Sequence, residues 1–371
     1  MASTCLGINY AYDVSGYGSG DHTYAYVTLF MNVLLTGILV IIWTVLDRKR
    51  QSYNRLFYWF LVLLRVVLIF TMCFYGAVKI FQIQFPQPSL VRLLEPLGNY
   101  SPMGLAWTYM GYSEGFNMFT GFMEVLGALL LIPRRTQTLG AFIVMGVMTH
   151  VAIMNFMFDI PVKLMSSHLV GMAAVIFFTD IRRFVNVFIQ NQPTKSINYF
   201  YPIKHKTYHK SIIWLKAIVL SLFTVLICVF GYQSERERGH KRQKPLLYGI
   251  WETSNFIKNG DTLPPLVTDD ERWRYFISDY KDIATVKFMD DQKENYHFTI
   301  DSITNQIKLY PIKSEIGFSN FTYDNSNPDI LTLEGILEQD TLQIIMRRKD
   351  LNSFELKSRG FHWINERPYN R

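Results

Sequence analysis

Glu124 is the residue of this sequence whose type and position say most about chemistry. It lies in the middle of an apolar stretch, residues 115–132, that has the length and composition of a membrane span. A carboxylate at that depth is costly unless it faces the protein interior, pairs with a cation or stays protonated. Because intramembrane carboxylates mark functional sites by default, we predict that Glu124 belongs to a polar site inside a helix bundle.

Lys79 is the cation whose predicted depth is closest to that of Glu124. It shares one helical face with Arg65 in the second apolar segment, and Glu124 shares a face with Asn117 and Gly121 in the third. In antiparallel helices Glu124 lies roughly 10 Å deeper than Lys79, a gap that two extended side chains can bridge. Two interpretations stay open: a paired or ligand-facing Glu124, or a Lys79 that extends to the surface beside a protonated, hydrogen-bonded Glu124.

Polar residues in and after the fourth apolar segment extend the predicted site. His150 lies near mid-membrane, where it is either a hydrogen-bonded core residue or part of a quinone or proton-relay site. Pro161 breaks the helix at the outer surface, so its neighbours form either an ordinary solvated loop or the rim of the site. The residues that we expect to line one outward-opening cavity are Lys79, Glu124, His150, Asn155, Asp159, Lys163 and His168.

Hydropathy divides the 371 residues into a membrane half and a soluble half. Basic residues concentrate in alternate short loops, which predicts that these loops are cytoplasmic and that both termini lie outside. The net charge of +7 therefore reflects topology and gives no argument for nucleic acid as a partner. Residues 88–112 carry a weaker apolar pattern that predicts an interfacial or re-entrant segment. The six predicted spans are residues 24–46, 56–81, 115–132, 139–158, 166–179 and 211–232.

The predicted fold is a membrane all-α bundle of about six helices followed by a soluble all-β domain. Short alternating runs after residue 246, separated by turn signals such as Asn259–Gly260, predict about eight strands in a closed up-and-down barrel. Residues 269–279 are predicted as a helix in this half, and residues 353–358 as its last strand. The predicted divisions are an extracytoplasmic segment 1–23, a transmembrane bundle 24–232, a linker 233–244 and an extracytoplasmic barrel 245–371.

Several short motifs between residues 74 and 184 carry a family resemblance. They are GAVKIF at 76–81, MGYS at 110–113, GFMEVLG at 121–127, PRRT at 133–136 and DIPVKL at 159–164. Together they resemble the DoxX-like family of small four-helix membrane proteins. The resemblance implies an inner-membrane bundle associated with redox systems, in some relatives as a subunit of a thiosulfate:quinone oxidoreductase. His150 departs from the family pattern, so no role is transferred to it.

The start of the soluble half carries a second motif, Tyr248–Gly249–Ile250–Trp251. It resembles the G-x-W strand of lipocalin-like barrels. In that family a late arginine packs over the tryptophan at the closed end, and Arg359 is the matching residue here. The resemblance implies that Trp251 and Arg359 are in contact and that the barrel binds an apolar ligand or a partner.

Two functions from different classes fit these features. The first is an integral membrane accessory protein of a redox or quinone-linked system, which would be an oxidoreductase subunit if it is enzymatic. The second is a non-catalytic scaffold or anchoring subunit whose barrel binds a partner or an apolar ligand. No catalytic residue is assigned, and Cys5, Cys73 and Cys228 form no C-x-x-C pair for thiol chemistry.

The expected ligands and partners follow from the same features. We expect no metal and no covalently bound cofactor, with a quinone or a lipid as the ligand. The expected partners are membrane lipid and other membrane or periplasmic subunits, without nucleic acid. The expected location is a bacterial inner membrane.

Overall fold

The computed structural model describes residues 19–194, 200, 206–237, 239, 241–312, 319–337 and 339–370, without the side chains of 206–209. Cys5 and most of the predicted segment 1–23 lie outside the described residues. The chain divides into two compact units. One comprises Met1–Pro86 with Ser101–His240, and the other comprises Gln87–Tyr100 with Lys241–Arg371.

The first unit is helical over its described residues. Its helices are α1 (Thr23–Leu46), α2 (Asn54–Ile80), α3 (Pro102–Tyr112), α4 (Glu114–Leu131), α5 (Gln137–Met157), α6 (Lys163–Phe178), α7 (Ile181–Phe188) and α8 (Lys206–Glu237). Among the described helices, α1, α2, α5 and α8 from Lys210 onward are long and apolar enough to cross a membrane. The α6–α7 pair, bent by 74°, would be a fifth span.

By length and composition alone, the count of spans is therefore lower than the six predicted. The third predicted span is helix α4, in which Glu114, Asn117 and Glu124 reduce the mean hydropathy. The fifth predicted span is α6, which has only 16 residues before the bend. Of these polar residues, Asn117 and Glu124 are buried inside the bundle, whereas Glu114 is exposed.

Glycines set the distance between α2 and α4. A Cβ added to Gly76 would lie 2.6 Å from the carbonyl oxygen of Gly121, and the reciprocal distance is 2.5 Å. Because neither position has room for a side chain, the two backbones are in direct contact, as in other small-residue helix interfaces in membranes. Lys79 Cβ would lie 2.9 Å from a Cβ on Gly121, so the lysine side chain passes this gap toward Glu124 one turn away.

Arg65 does not pair with Glu124 but caps the C-terminal end of helix α4. Its guanidinium is buried and donates to Leu131 O from Nε at 3.0 Å and from Nη2 at 2.6 Å. Nη2 also donates to Ile132 O at 2.7 Å. These carbonyls are among those that a helix C-terminus leaves without an intrahelical donor, so Arg65 both satisfies them and complements the helix dipole.

The second unit contains a closed antiparallel barrel. Its strands are β1 (Gly249–Lys258), β2 (Asp261–Thr262), β3 (Trp273–Tyr280), β4 (Ile283–Phe288), β5 (Lys293–Asp301), β6 (Gln306–Pro311), β7 (Ser319–Asp324), β8 (Ile330–Leu337) and β9 (Asp340–Arg348). Strand β1 pairs with both β3 and β9, so eight strands close the barrel and β2 only extends β1. The predicted up-and-down barrel is confirmed at this level.

Large side chains fill the barrel interior. Strand β7 shows the expected alternation of buried and exposed residues, with Phe321 inside. The core is formed from all eight barrel strands and includes Trp251, Phe256, Trp273 and Phe276. The interior of the barrel is therefore a packed core rather than an open ligand cup.

Gln87–Tyr100 covers one outer face of this barrel, although the sequence predicted that region as interfacial or re-entrant. Leu90 is buried against Ile250, Tyr275 and Ile277, which point outward from their strands. The Leu90 N–H donates to Asp279 Oδ2 at 2.8 Å, while Asp279 Oδ1 forms an ion pair with Arg242. In the sequence, 140 residues of the helical unit, Ser101–His240, separate this segment from the rest of the second unit.

Three sequence predictions in this unit are wrong. Residues 269–279, predicted as a helix, contain most of strand β3, which lacks alternation because both of its faces are buried. Residues 353–358, predicted as the last strand, form a turn of helix at Glu355–Ser358. Arg359 does not contact Trp251, because the barrel ends at Arg348, whose guanidinium lies 5.8 Å from the Trp251 ring. Arg359 instead lies 3.9 Å from the ring of Tyr369.

Candidate functional site

A cavity of about 170 Å³ lies inside the helical unit. Residues from α2, α3, α4, α5 and α6 line it, together with the turns after α2 and before α6. Its polar wall consists of Tyr75, Lys79, Glu124, Asn155 and Ser166, with Gln84 at one edge. Most of the remaining wall is apolar, and it includes four methionines, Phe85 and Trp107.

Lys79 and Glu124 form a buried ion pair at the wall of the cavity. Lys79 Nζ lies 2.5 Å from Glu124 Oε1, and the side chains are 5% and 2% exposed. The first interpretation of Glu124, a residue paired with Lys79, is therefore the one that the geometry favours. Each partner lowers the cost of burying the other, and removal of one would leave an uncompensated charge.

The second carboxylate oxygen of Glu124, Oε2, has no hydrogen-bond partner among the described residues and is buried. A buried acceptor without a donor is costly. A donor group placed in the cavity would remove that cost, whether it belongs to a water molecule or to a ligand. An ammonium also carries three N–H donors, and the contact with Oε1 uses one of them. The pair can therefore offer both an acceptor and a donor to the same small molecule.

A second set of polar residues in the cavity wall lies at the turn between α5 and α6. Asn155 Nδ2 donates to Ser166 Oγ at 3.0 Å, and Ser166 Oγ donates to Val162 O at 3.0 Å. Both side chains are buried. The break itself follows from Pro161 and from Asp159, whose φ of 51° is left-handed. These hydrogen bonds hold the turn closed and fix the direction in which α6 starts.

Asp21 completes the start of α6 from the N-terminal side of the chain. Its carboxylate accepts from Lys163 N at 2.6 Å and from Leu164 N at 3.0 Å, which are donors of the first helical turn. Gly20 N donates to Pro161 O at 2.7 Å beside it. No sequence pattern indicates this role, because Asp21 lies about 140 residues away from the helix that it caps.

The structure brings Lys79, Glu124 and Asn155 together and places the other predicted site residues elsewhere. His150 is exposed on α5, because Met148, Val151 and Asn155 present the face of that helix toward the cavity. The predicted cavity wall is therefore corrected for four residues that lie outside the described lining: His150, Asp159, Lys163 and His168.

The three residues near the break have partners of their own. Lys163 Nζ pairs with Asp159 Oδ1 at 2.9 Å, and the Asp159 side chain is 85% exposed. Exposed His168 lies with Nδ1 2.6 Å from Leu164 O in its own helix. Asp159 and Lys163 thus form a surface ion pair, the kind that contributes little to stability. The interpretation of these residues as a solvated loop fits the geometry better than a role in the cavity.

Comparison with known proteins gives little independent guidance. No family model matches this chain. The chain is similar to the uncharacterized protein YwoB of Bacillus subtilis (strain 168), with 40% identity over 86 residues. The aligned stretch is 23% of this chain and 56% of that protein. No solved structure matches. The DoxX-like and lipocalin-like resemblances therefore stay predictions.

Proposed function

We propose that this protein is an integral membrane accessory protein of a redox or quinone-linked system, and that its helical cavity binds a quinone-class head group. The observation that carries this proposal is the Lys79–Glu124 pair, with Oε2 of Glu124 unpartnered among the described residues, in a mostly apolar cavity. Pockets with few polar groups in an apolar wall are typical of small-molecule sites.

The chemistry of a quinone matches the groups of the wall. A quinone carbonyl accepts a hydrogen bond, which the Lys79 ammonium can donate, and a hydroquinone hydroxyl donates one, which Glu124 Oε2 can accept. An aromatic pair, Phe85 and Trp107 at 5.0 Å between centroids, offers a surface for a flat ring. At about 170 Å³ the cavity is smaller than the roughly 300–1,000 Å³ of sites for drug-sized ligands, so it suits a single ring.

In this proposal the chain supplies binding and a proton-carrying carboxylate, and the electrons come from partner subunits. Glu124 would hold or release the proton that accompanies reduction or oxidation of the bound ring, with Lys79 stabilising the carboxylate form. The residues assigned to this site are therefore binding residues, and the oxidant and reductant lie outside this chain.

The second candidate function is a non-catalytic scaffold whose barrel binds a partner. The observation in its favour is that the barrel interior is packed, so any recognition by this unit takes place on its outside. Three apolar side chains that follow the last strand in the sequence are exposed to solvent. Phe361, Trp363 and Ile364 are 78%, 91% and 77% exposed. Exposed aromatic residues of this kind are enriched in protein interfaces.

We propose six spans, with the barrel outside the cytoplasm. Gln87–Tyr100 follows α2 and packs on the barrel, so an even number of helices must cross the membrane between Tyr100 and Lys241. Helices α5 and α8 qualify as spans, which leaves α4 and the α6–α7 pair to cross together or not at all. We propose that both cross, because α4 packs against α2 and α5, and α6 packs against α5 and α2.

Quenching of tryptophan fluorescence tests the proposed ligand. The full chain in lipid nanodiscs is titrated with a short-chain benzoquinone, and we expect saturable quenching because Trp107 lines the cavity. Trp107→Phe should remove the saturable component, and Lys79→Met with Glu124→Leu should shift it to higher concentration. Quenching that stays linear and equal in all three proteins would show only partition into the bilayer and would refute the proposal.

A further inference from the structure

A second cavity of the helical unit, a groove of about 560 Å³, combines cations with apolar side chains. We call it the basic groove and define it by Arg134 and Arg135 after α4 and by Lys216, Ile213 and Leu220 on α8. Its described lining contains no acidic residue. The groove is distinct from the Lys79–Glu124 cavity, because the two have no lining residue in common.

Lys216 occupies an unusual position for a lysine. It lies four residues after Ile212, where the apolar run of α8 begins, or roughly 6 Å along the helix axis. Within the part of the chain that the structure describes, Lys216 forms no ion pair. The neighbouring charges that act on it are Arg65 and Arg134, both cations. A cluster of like charges at the edge of an apolar span is costly, and a bound anion would lower that cost.

The cations of this cluster differ in the contacts that they already make within the protein. Arg65 is buried and already donates to the carbonyl oxygens of Leu131 and Ile132. Arg134 lies 5.2 Å from the ring of Tyr58 and donates to Phe200 O at 3.1 Å. Arg135 is exposed and, like Lys216, forms no ion pair with the described residues. Arg135 and Lys216 are therefore the cations most available to an added anion.

We propose that the basic groove binds the phosphate of an anionic phospholipid, with one acyl chain along the apolar side of α8. Arg135 and Lys216 would hold the phosphate, with Arg134 at its side. Ile213, which is 66% exposed, and Leu220 line the same groove one turn on either side of Lys216 and provide the surface for the chain. Basic pockets between membrane helices recognise anionic head groups in this way.

Native mass spectrometry of the detergent-solubilised full chain tests this proposal. The protein is incubated with equal amounts of phosphatidylglycerol and phosphatidylcholine, and we expect retention of the anionic lipid alone. The double variant Arg135→Gln/Lys216→Gln should retain about tenfold less phosphatidylglycerol. The matched control Arg48→Gln/Lys49→Gln removes two exposed cations from another loop and should behave like the parent.

Three results would overturn the proposal. Equal retention of the two lipids would show that charge is not recognised. Equal retention by the two double variants would show that the groove is not the site. Displacement of the lipid by excess inorganic phosphate would show a phosphate site without a role for the acyl chain. Both variants change exposed side chains, so equal thermal unfolding of all proteins in lipid-free detergent verifies that a loss of binding is not a loss of fold.

Discussion

Gly76 and Gly121 face each other across the α2–α4 interface, with no room for a Cβ on either one. The first prediction concerns this contact. Gly121→Ala places a Cβ 2.5 Å from Gly76 O, so the helices must separate, and we expect a loss of about 1–3 kcal/mol in unfolding free energy. Gly146→Ala is the control, since a Cβ there meets nothing within 4 Å. Denaturation in detergent measures both, and equal stability of the two variants would contradict the close contact.

The second prediction concerns the Lys79–Glu124 pair. Lys79→Met leaves a buried carboxylate without its cation and should cost about 3–5 kcal/mol, whereas Lys79→Met with Glu124→Leu should recover most of that loss. A double-mutant cycle from denaturation curves gives the coupling between the two residues. A coupling near zero would mean that the pair does not contribute as the geometry implies.

The third prediction separates charge from shape at Glu124. Glu124→Gln keeps the shape and removes the charge, so it should abolish function while expression survives if the carboxylate carries a proton or binds a ligand. If Glu124 is only a structural hydrogen-bonding group, Gln should have little effect and Leu should destabilise. Activity or quinone binding of the two variants, measured beside their melting curves, distinguishes these cases.

The fourth prediction concerns the end of the barrel. Arg348 lies over Trp251 and also donates to Tyr248 O at 3.1 Å, so Arg348→Ala should destabilise the barrel by about 0.5–2 kcal/mol. Arg359→Ala is the matched control and should have a smaller effect on β1. Hydrogen–deuterium exchange of the full chain reports on the strand directly. Faster exchange in β1 for Arg359→Ala than for Arg348→Ala would restore the original assignment.

The fifth prediction is a dependence of barrel stability on acid. The Lys287 ammonium, hydrogen-bonded to Asp291 at 2.8 Å, holds the pKa of that carboxyl below its ordinary value of 3.8. The depressed pKa means that its stabilising effect is complete above pH 3.8 and is lost as the pH falls further, through the lower folded-state pKa. Asp291→Asn should flatten the acid side of the stability curve. Asp261→Asn, at an exposed position, should leave that side unchanged.

Sequence patterns were sufficient where one face of an element is buried and the other is not. Strands β5 to β7 alternate cleanly, so their positions were close to correct. Strand β3 is buried on both faces because Gln87–Tyr100 covers its outer side, and a pattern of period two is lost there. The sequence of β3 itself does not show that its outer face is buried, since the covering segment comes from a distant part of the chain.

Only part of the candidate site could be predicted from the sequence. Glu124 and Lys79 stand out because charges inside apolar helices are rare. Their similar predicted depths in two antiparallel helices were sufficient to predict that they form a pair. His150 is also polar and predicted at mid-membrane. The rotation of α5 about its axis decides which side His150 faces, and that rotation depends on packing with neighbouring helices. Ser166 and Asp21 act across a helix break, where no periodic pattern links a residue to its partner.

The packing of Gln87–Tyr100 on the barrel has a consequence for biosynthesis. The segment leaves the ribosome long before β1, so Leu90 lacks its barrel partners Ile250, Tyr275 and Ile277 until β1 and β3 have been synthesised. Completion of the barrel thus depends on a piece of chain that lies in sequence between helices α2 and α3. A nascent chain that stops before β3 would leave Leu90 without Tyr275 and Ile277, so a truncated chain would expose apolar surface between α2 and α3.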